Sequence, residues 1–392
     1  MRQLARHRVR GLTLVELLIS ITIGLLIVGA VLYVYLGSRG AYRTSTSTSR
    51  VQEAGRFGLD AILRDVRQAG FIGCGSRLSP ATFQPQGIYQ IANPPLGFTA
   101  PAQAVQGYAA TTYQSGASTP WPLAPALKVQ WYAGDVLVLR VAVGAPVMLA
   151  RDPDPTIPAI FLGNNCGRIK TGDYLLVSSC TMATVLRVAN APDASAASCP
   201  AAPAVVAGGV EVDHGATDVN GNTVNGNAPL KLTALVPPSQ PPLSLAGLPT
   251  AQAFDEVSYY VGRIPGRAPA LYRYSATAAT AAATVGLAEE IIDHVENMSV
   301  SYGIAPVAGG AVVYQDAATV QAANGGLGNW GNVISVRISL LAAGDELKAV
   351  DAPQSIPFGP SSGGTSATTL TAPDTRLRQV FTATAALRDR LQ

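Results

Sequence analysis

One long apolar run near the N-terminus limits the fold of this chain more than any other feature of its sequence. Residues 12–36 (LTLVELLISITIGLLIVGAVLYVYL) contain a single charged side chain, Glu16. A helix of this length measures about 37 Å, whereas the hydrocarbon core of a bilayer is roughly 30 Å thick. The run therefore predicts a membrane-spanning helix over residues 12–36.

The distribution of charge predicts how this helix is oriented. Four arginines and no acid lie in residues 1–11, and without these arginines the formal net charge falls from +3 to −1. Basic residues beside a membrane-spanning helix stay in the cytoplasm, so the chain beyond residue 36 is expected on the opposite side of the membrane. The downstream sequence has no basic run, which argues against nucleic-acid binding.

Two ordinary interpretations of the apolar run fail to explain either its length or the acid within it. A cleaved secretory signal would end at small residues such as Gly29 and Ala30, but the run continues past them to Leu36. A plain signal anchor explains the length and orientation but gives no reason for Glu16. An unpaired carboxylate in lipid costs roughly 3 kcal/mol, so an acid at this depth indicates a partner.

The residues around Gly11 resemble the type IV prepilin signature. A basic leader, a glycine and an acid at the fifth position of an apolar helix occur together over residues 1–16. The resemblance implies that a prepilin peptidase cuts between Gly11 and Leu12 on the cytoplasmic side and methylates Leu12. It also implies that Glu16 pairs with the N-terminal amine of a neighbouring subunit during assembly. Leu12 departs from the Phe that major pilins mostly carry there.

A helical pattern returns after the apolar run. Residues 37–40, with two glycines, are expected to loosen the helix where it leaves the membrane. From Val51 onward, apolar residues recur at helical spacing and charged residues occupy the opposite side. The apolar positions are Leu59, Ile62, Leu63 and Val66. The pattern predicts an amphipathic continuation over residues 37–74 that packs on a sheet and ends in the glycine-rich residues 70–75.

After residue 75 the sequence is typical of a β-rich domain. Short runs of strand-forming residues alternate with turn residues, which predicts antiparallel sheet. The predicted strands are residues 135–143, 173–177, 184–188, 256–261, 271–274, 298–302 and 333–341, and residues 374–391 favour another strand. The predicted loops are residues 93–125, 189–209, 237–249 and 352–373. The fold class is therefore α+β, with long loop insertions in an extracytoplasmic domain over residues 75–392.

Five segments beyond the anchor resemble corresponding parts of PilW-type minor pilins. They are residues 56–74, 172–188, 259–274, 290–303 and 376–391. The resemblance implies a pilin-like fold, in which a long N-terminal helix packs on an antiparallel sheet, and a role in the tip or priming complex of a type IV pilus. J-type minor pseudopilins of type II secretion are the alternative, although they tend to be shorter than this chain.

The resemblance also implies partners and a location. The partners would be other minor pilins, the major pilin, a tip adhesin, the inner-membrane assembly platform and, as the processing enzyme, prepilin peptidase. The chain would first cross the inner membrane once, with its C-terminal domain in the periplasm, and would then enter the pilus tip.

Four cysteines lie on the predicted extracytoplasmic side, where disulfides form. Cys74, Cys166, Cys180 and Cys199 would make two disulfides, in any of three pairings between which the sequence does not choose. No two of them have the CxxC spacing of a zinc site, which argues against structural zinc.

The remaining polar clusters have simpler explanations than catalysis. Residues 213–227 partly imitate a calcium loop, but Thr223 replaces the turn glycine and Pro229 the bidentate Glu, which favours an Asn-Gly turn. Glu290 and His294, with Asp293 and Glu296 nearby, could form an acid–base or metal cluster, but the apolar residues in the same stretch favour a short amphipathic element with solvated charges. The sequence contains no nucleophile elbow, Walker A loop or zincin motif.

These observations predict a protein that is not an enzyme, with no catalytic residue, no cofactor and no metal ion. A membrane-anchored extracytoplasmic enzyme or binding protein is the alternative from a different class. It would need a polar pocket, which the motifs do not indicate.

Overall fold

A computed structural model describes the N-terminal helix and the sheets of the chain. The described residues are 13–71, 88–89, 103–109, 130–150, 159–163, 169–178, 183–189, 209–213, 250–275, 288–305, 310–326, 328–359 and 368–387.

The N-terminal helix, α1, is the longest element. It spans Leu14–Gln68, and its 55 residues give a length of about 82 Å. The Thr13 hydroxyl accepts a hydrogen bond from the Glu16 backbone N–H at 3.2 Å and so caps the first turn. At the other end Ala69 is extended and Gly70 has a φ of 79°. The helix thus ends directly before the glycine-rich segment at which the sequence predicts its end.

The helix does not loosen at residues 37–40, contrary to the expectation from its glycines. α1 is continuous through these residues and through the hydroxyl residues that follow. The Thr44 hydroxyl donates to the Gly40 carbonyl at 3.2 Å, and the Thr48 hydroxyl donates to the Thr44 carbonyl at 2.8 Å. These hydroxyl groups bond back within the helix, and a glycine costs a long helix only about 1 kcal/mol, so neither interrupts it.

The rest of the described chain is mostly β-strand. The strands are β1 Ile88–Tyr89, β2 Val105–Tyr108, β3 Gln130–Met148, β4 Ala159–Leu162, β5 Tyr174–Ser178, β6 Ala183–Arg187, β7 Val210–Asp213, β8 Thr250–Arg263, β9 Ala270–Ser275, β10 Ala288–Asp293, β11 Val295–Ile304, β12 Val313–Gln315, β13 Val333–Ala343, β14 Ser355–Phe358, β15 Thr368–Thr371 and β16 Arg378–Ala386. A short helix, α2 Ala317–Ala322, lies between β12 and β13. Each run predicted from the sequence to be a strand overlaps one of these strands, which confirms the α+β fold class.

Two sheets dominate the domain. The larger sheet has the strand order β1-β6-β5-β8-β3-β2, with β9 paired to β8 and β10 paired to β9. The smaller sheet has the order β12-β11-β13-β16. Two separate pairs, β4 with β7 and β14 with β15, complete the described strands. Among the described ladders, only the two-residue pairing of β1 with β6 is parallel, so the predicted antiparallel character is confirmed.

Three strands lie where the sequence predicts loops. β2 falls within residues 93–125, and the β14–β15 hairpin falls within residues 352–373. Each of these strands has only four residues, so a period of two cannot stand out from the turn residues around it. The other two predicted loops, 189–209 and 237–249, lie almost wholly outside the described residues.

The C-terminal half of α1 packs across the seam between the two sheets. Its inward residues Leu59, Ile62, Leu63 and Val66 belong to one apolar core that includes residues of both sheets. The larger sheet contributes Leu137, Leu139, Val257 and Tyr259, and the smaller sheet contributes Met298, Val300, Ile338 and Leu340. The helix that the sequence predicts to pack on one sheet therefore joins two.

Two glycines let α1 approach the sheets closely. At Gly55, a Cβ atom would overlap the ring of Phe381 in β16. At Gly58, a Cβ atom would lie 3.0 Å from the side chain of Leu340 in β13. Gly40, by contrast, has no neighbour within 4 Å of the same position. The absence of a side chain thus matters only where the helix meets the domain.

Replacing Gly55 with leucine should destabilise the domain by about 1–3 kcal/mol, because the added side chain has no room beside Phe381. Gly40→Leu is the matched control on the same helix and should leave the stability of the domain unchanged. Thermal unfolding of both full-length variants in detergent, followed by near-UV circular dichroism, measures the effect. Equal melting temperatures would contradict the close packing of α1 on β16.

A buried ion pair lies on the face of the larger sheet opposite α1. Arg140 in β3 and Glu256 in β8 are cross-strand neighbours, and Arg140 Nε lies 2.9 Å from Glu256 Oε2. Their side chains are 1% and 4% exposed. Burial raises the pKa of Glu256 to about 7, and the charge of Arg140 offsets part of this increase.

The raised pKa of Glu256 predicts a loss of stability at high pH. Native Glu256 holds its proton more tightly than the unfolded chain, so its stabilising contribution is complete below about pH 4.5 and is lost as the pH rises through about 7. Glu256→Gln mimics the protonated carboxyl group. The stability of this variant relative to the wild type should rise by on the order of 1–3 kcal/mol between about pH 5 and pH 8. Denaturant unfolding at both pH values measures this, and a pH-independent difference would contradict the assignment.

Candidate functional site

The N-terminal half of α1 projects from the domain as an exposed apolar helix. Every residue from 13 to 42 is exposed, including Leu14 at 75% and Leu26 at 74%. An 18-residue window of the helix has a mean hydropathy of 2.7, and none of that window is buried. So many apolar side chains are stable only against lipid or against other apolar helices. By length and composition, α1 is able to cross a membrane.

Glu16 is the one charged side chain in α1 up to Leu36. It lies in the first helical turn, and its carbonyl accepts a hydrogen bond from the Ser20 hydroxyl at 2.7 Å. Its carboxylate forms no ion pair with any of the described residues. A negative charge in the first turn is favourable for the helix dipole, but burial of that charge among apolar helices requires a cation from outside the described chain.

Several predicted site residues lie outside the described residues. Gly11 and Leu12, the predicted cleavage and methylation site, immediately precede the first described residue. The four cysteines, Cys74, Cys166, Cys180 and Cys199, fall between the described segments, as do residues 214–227 of the Asp/Asn-rich loop. Their predicted roles stay predictions.

Contacts with the loop after β13 hold α1 where it enters the domain. Arg50 pairs with Asp345 at 2.5 Å, and Arg43 lies 4.0 Å from Glu346. The side chains in these pairs are between 31% and 54% exposed, so each pair contributes little to stability. Ser47 packs against Gly344 between them and is fully buried. The exposed half of the helix therefore begins at a defined boundary.

A more buried polar contact holds the other end of α1. The Tyr259 hydroxyl donates to Asp65 Oδ2 at 2.7 Å, and Arg273 Nε donates to the same oxygen at 3.1 Å. The side chains of Asp65 and Arg273 are 16% and 25% exposed. Burial, together with the adjacent carboxylate, raises the pKa of Tyr259, so the hydroxyl stays protonated and remains a donor.

Sequence reasoning misses this contact because it assigns Asp65 to the solvated side of the helix. The available signal is its position directly before Val66, at the edge of the apolar face. A carboxylate at such an edge reaches a sheet when the sheet offers donors. β8 and β9 offer Tyr259 and Arg273, but their proximity follows from long-range pairing that the local sequence does not encode.

The segment around Glu290 and His294 forms two strands with a sharp bend between them. β10 ends at Asp293, His294 has a φ of 59°, and β11 begins at Val295. Among the described residues, no group of three or more His, Cys, Asp or Glu side chains is arranged to hold a metal ion.

Glu296, expected from the sequence to be solvated, is instead an ion-pair partner. Arg378 at the start of β16 donates to its two carboxylate oxygens at 2.6 and 3.0 Å, and the Arg378 side chain is only 2% exposed. Asp374 accepts a further hydrogen bond from Arg378 at 2.6 Å. This bidentate ion pair holds the first residue of β16 against the start of β11.

One surface cavity, of about 390 Å³, lies between β2 and α2 and is lined mainly by alanine and glycine. Its single titratable side chain is Tyr108, and burial raises the pKa of that hydroxyl to about 12. This lining offers no pair of nucleophile and base.

Two family models match the chain. The model described as type IV pilus-assembly protein W matches residues 258–389, and the model described as the prokaryotic N-terminal methylation motif matches residues 6–32. The first match covers the whole smaller sheet, and the second covers Gly11, Leu12 and Glu16. These matches support a PilW-type, pilin-like protein. They imply a relation to type IV pili, membrane anchoring through α1 and interaction with other pilus components.

The PilW match includes some of the segments that resemble the family and excludes others. Residues 259–274 and 290–303 lie inside the match, whereas residues 56–74 and 172–188 lie outside it. Comparison with curated proteins and with solved structures gives no match. A pilin-like family favours a structural rather than an enzymatic role.

The Asp65 contact predicts that Asp65→Ala lowers the free energy of unfolding by about 1–3 kcal/mol, because Tyr259 and Arg273 lose a shared acceptor in a largely buried place. Asp60→Ala is the matched control on the same helix. It removes an exposed pair with Arg64 and should cost about 0.5 kcal/mol or less. Denaturant unfolding of the full-length variants measures both, and equal effects would contradict a structural role for Asp65.

Proposed function

We propose that this PilW-type protein is a minor pilin that joins the tip or priming complex of a type IV pilus and promotes pilus biogenesis. Its partners would be other minor pilins, the major pilin, a tip adhesin and the inner-membrane assembly platform. The observation that carries the proposal is α1, a single unbroken helix. One half of it is exposed and apolar, and the other half is built into the domain that contains the PilW match.

The exposed half of α1 suits two environments in turn. Before assembly, its apolar side chains would lie among lipid chains of the inner membrane; after assembly, they would lie among the helices of neighbouring subunits. Both environments bury the same side chains, so transfer between them costs little hydrophobic free energy. Because α1 has no break, the packing of its exposed half would also set the position of the domain.

Processing would supply the partner that Glu16 lacks. A prepilin peptidase would remove residues 1–11 on the cytoplasmic side and leave Leu12 as a methylated N-terminal amine. This amine would lie four residues before Glu16 in its own chain. A neighbouring helix shifted by about one turn would bring its own amine to that carboxylate. The pair would neutralise two charges in an apolar bundle and set the register between subunits.

The domain beyond α1 would fold in the periplasm. In that compartment Cys74, Cys166, Cys180 and Cys199 would be oxidised to two disulfides. The two disulfides would stabilise the domain by constraining the unfolded chain.

The proposal predicts that Glu16→Ala leaves membrane insertion intact but impairs incorporation into pili. Loss of one partner of a buried ion pair costs about 3–5 kcal/mol, which corresponds to at least roughly a hundredfold loss in assembly affinity. Membrane fractionation measures insertion. Immunoblots of sheared pili, together with co-purification of the other minor pilins, measure incorporation.

Ser20→Ala is the matched control for this experiment. It removes the Ser20 hydroxyl, which lies one turn from Glu16 on the same exposed helix and bonds only to a backbone carbonyl. It should insert and assemble like the wild type. Normal piliation and normal co-purification in Glu16→Ala would count decisively against the pairing role.

A further inference from the structure

The last strand, β16, forms one edge of the smaller sheet. It pairs with β13 through nine consecutive residue pairs without a register shift. Its other edge has no strand partner among the described residues. An exposed edge is a template for another strand, so natural proteins usually shorten it, charge it, bulge it or cover it.

The directions of the backbone groups in β16 can be assigned residue by residue. The Leu377 carbonyl and the Leu387 N–H both bond toward β13, so odd-numbered residues of the strand face β13. Even-numbered residues face away, as the Arg378 N–H does when it donates to the Gln354 side chain at 2.6 Å. The remaining outward backbone groups belong to Val380, Thr382, Thr384 and Ala386.

Among the described residues, part of this edge is covered and part is open. The β14–β15 hairpin packs over the start of the strand, where Val380 contacts the cluster of Ile356 and Phe358. Beyond that point Thr382 and Thr384 are exposed, and no described residue bonds to their outward backbone groups. α1 lies on the face of the sheet, at Phe381, rather than over the edge.

The open part of β16 lacks the features that normally blunt an edge. Residues 379–386 contain no charged residue and no proline, and the ladder with β13 contains no bulge. Strands average five to six residues, so the nine residues of β16 make a long edge. Such an edge is a liability for a secreted domain unless a strand occupies it.

We propose that the edge of β16 from Thr382 to Ala386 accepts an extended strand of a different subunit of the pilus tip complex, which adds a fifth strand to the smaller sheet. This inference rests on the proposed function. Main-chain hydrogen bonds to the outward groups supply the affinity, and side chains on the two faces supply the specificity.

The two faces of β16 define the partner strand. On the α1 side the incoming strand meets Phe381 and Ala383 and carries small or apolar residues there. On the opposite side it meets a row of hydroxyl groups, where Thr382 bonds to Ser339 at 2.8 Å and Thr384 accepts from Arg337 at 3.4 Å. Polar residues face this side. The partner segment therefore alternates apolar and polar residues over about five positions.

A second copy of this chain does not fit the edge. α1 lies flat along the sheets, from Ser47 beside Gly344 to Asp65 beside Tyr259. Two copies could pair their β16 edges antiparallel only about a twofold axis perpendicular to the sheet. This axis would reverse the direction of α1 in the second copy, so the two membrane anchors would point in opposite directions. The other edge of the sheet, β12, offers only three residues. The occupant is a strand of another protein.

Amide hydrogen exchange tests the proposal on the full-length protein in detergent, alone and in the complex purified after co-expression with the other minor pilins. Fragmentation that resolves single amides should show exchange at Thr382, Thr384 and Ala386 slowed at least about tenfold in the complex. Exchange at Phe381 and Ala383, which already bond to β13, should change little. A complex that forms without slowing at the even positions overturns the proposal.

A pair of variants tests the same edge by affinity. Thr382→Pro removes an outward N–H and leaves the ladder with β13 in place, and should reduce recovery of the complex at least about tenfold. Thr382→Val loses the same hydroxyl but keeps the N–H, and should bind like the wild type. Equal binding by the two variants, or a homodimer in place of a mixed complex, overturns the proposal.

Three further outcomes have distinct consequences. If Thr382→Pro fails to fold by near-UV circular dichroism, the exchange pattern of the wild type alone decides. If the wild type joins no minor pilin, the proposed function fails and this inference fails with it. If the wild type joins and Glu16→Ala does not, but exchange at the even positions is unchanged, only the edge proposal fails.

Discussion

The packing of the C-terminal half of α1 across two sheets is the interaction on which the rest of the molecule depends. Leu59, Ile62 and Val66 fill the seam between the sheets, and Gly55 lets the helix approach β16 closely. Without the helix, the inward faces of both sheets would be open to water. The same helix then continues as an exposed apolar rod, so the domain core and the membrane anchor are one continuous element.

Because the helix is continuous, the position of its exposed half determines the position of the domain. The largely buried contact of Asp65 with Tyr259 and Arg273 fixes one end of the buried half relative to the sheets, and Arg50 contacts Asp345 at the other end. Any partner that packs on the exposed half therefore positions the whole domain. In a pilin-like protein, assembly through the helix and presentation of the domain are then a single event. The open edge of β16 lies on the sheet that α1 packs against, so its position follows from the same packing.

Much of this arrangement could be predicted from the sequence because its signals are local. The apolar run, Glu16 and the helical spacing of Leu59, Ile62, Leu63 and Val66 each depend on neighbouring residues, and they predict the helix and its two halves. Strand runs such as those in β8 and β13 are long enough for their character to stand out. The resemblance at Gly11 to Glu16 and in the later segments predicts the family.

The remainder depends on long-range pairing, which a local pattern does not encode. The four-residue strands β2, β14 and β15 become strands only because a partner strand binds them. Asp65 and Glu296 are charged residues that patterning assigns to solvent, yet Arg273 and Arg378, distant in sequence, draw them into the fold. The helix at Gly37 to Gly40 differs from expectation for a local reason: the Thr44 hydroxyl bonds back to the Gly40 carbonyl within the helix.

The proposed role of α1 as a processed pilin helix requires a free amine at Leu12 that serves assembly together with Glu16. Mass spectrometry of the mature N-terminus of the native protein measures whether this amine exists. The mature chain should begin at a methylated Leu12, with residues 1–11 removed. A mature chain that begins at Val31, as a secretory signal would leave it, or one that keeps residues 1–11, would rule out this role.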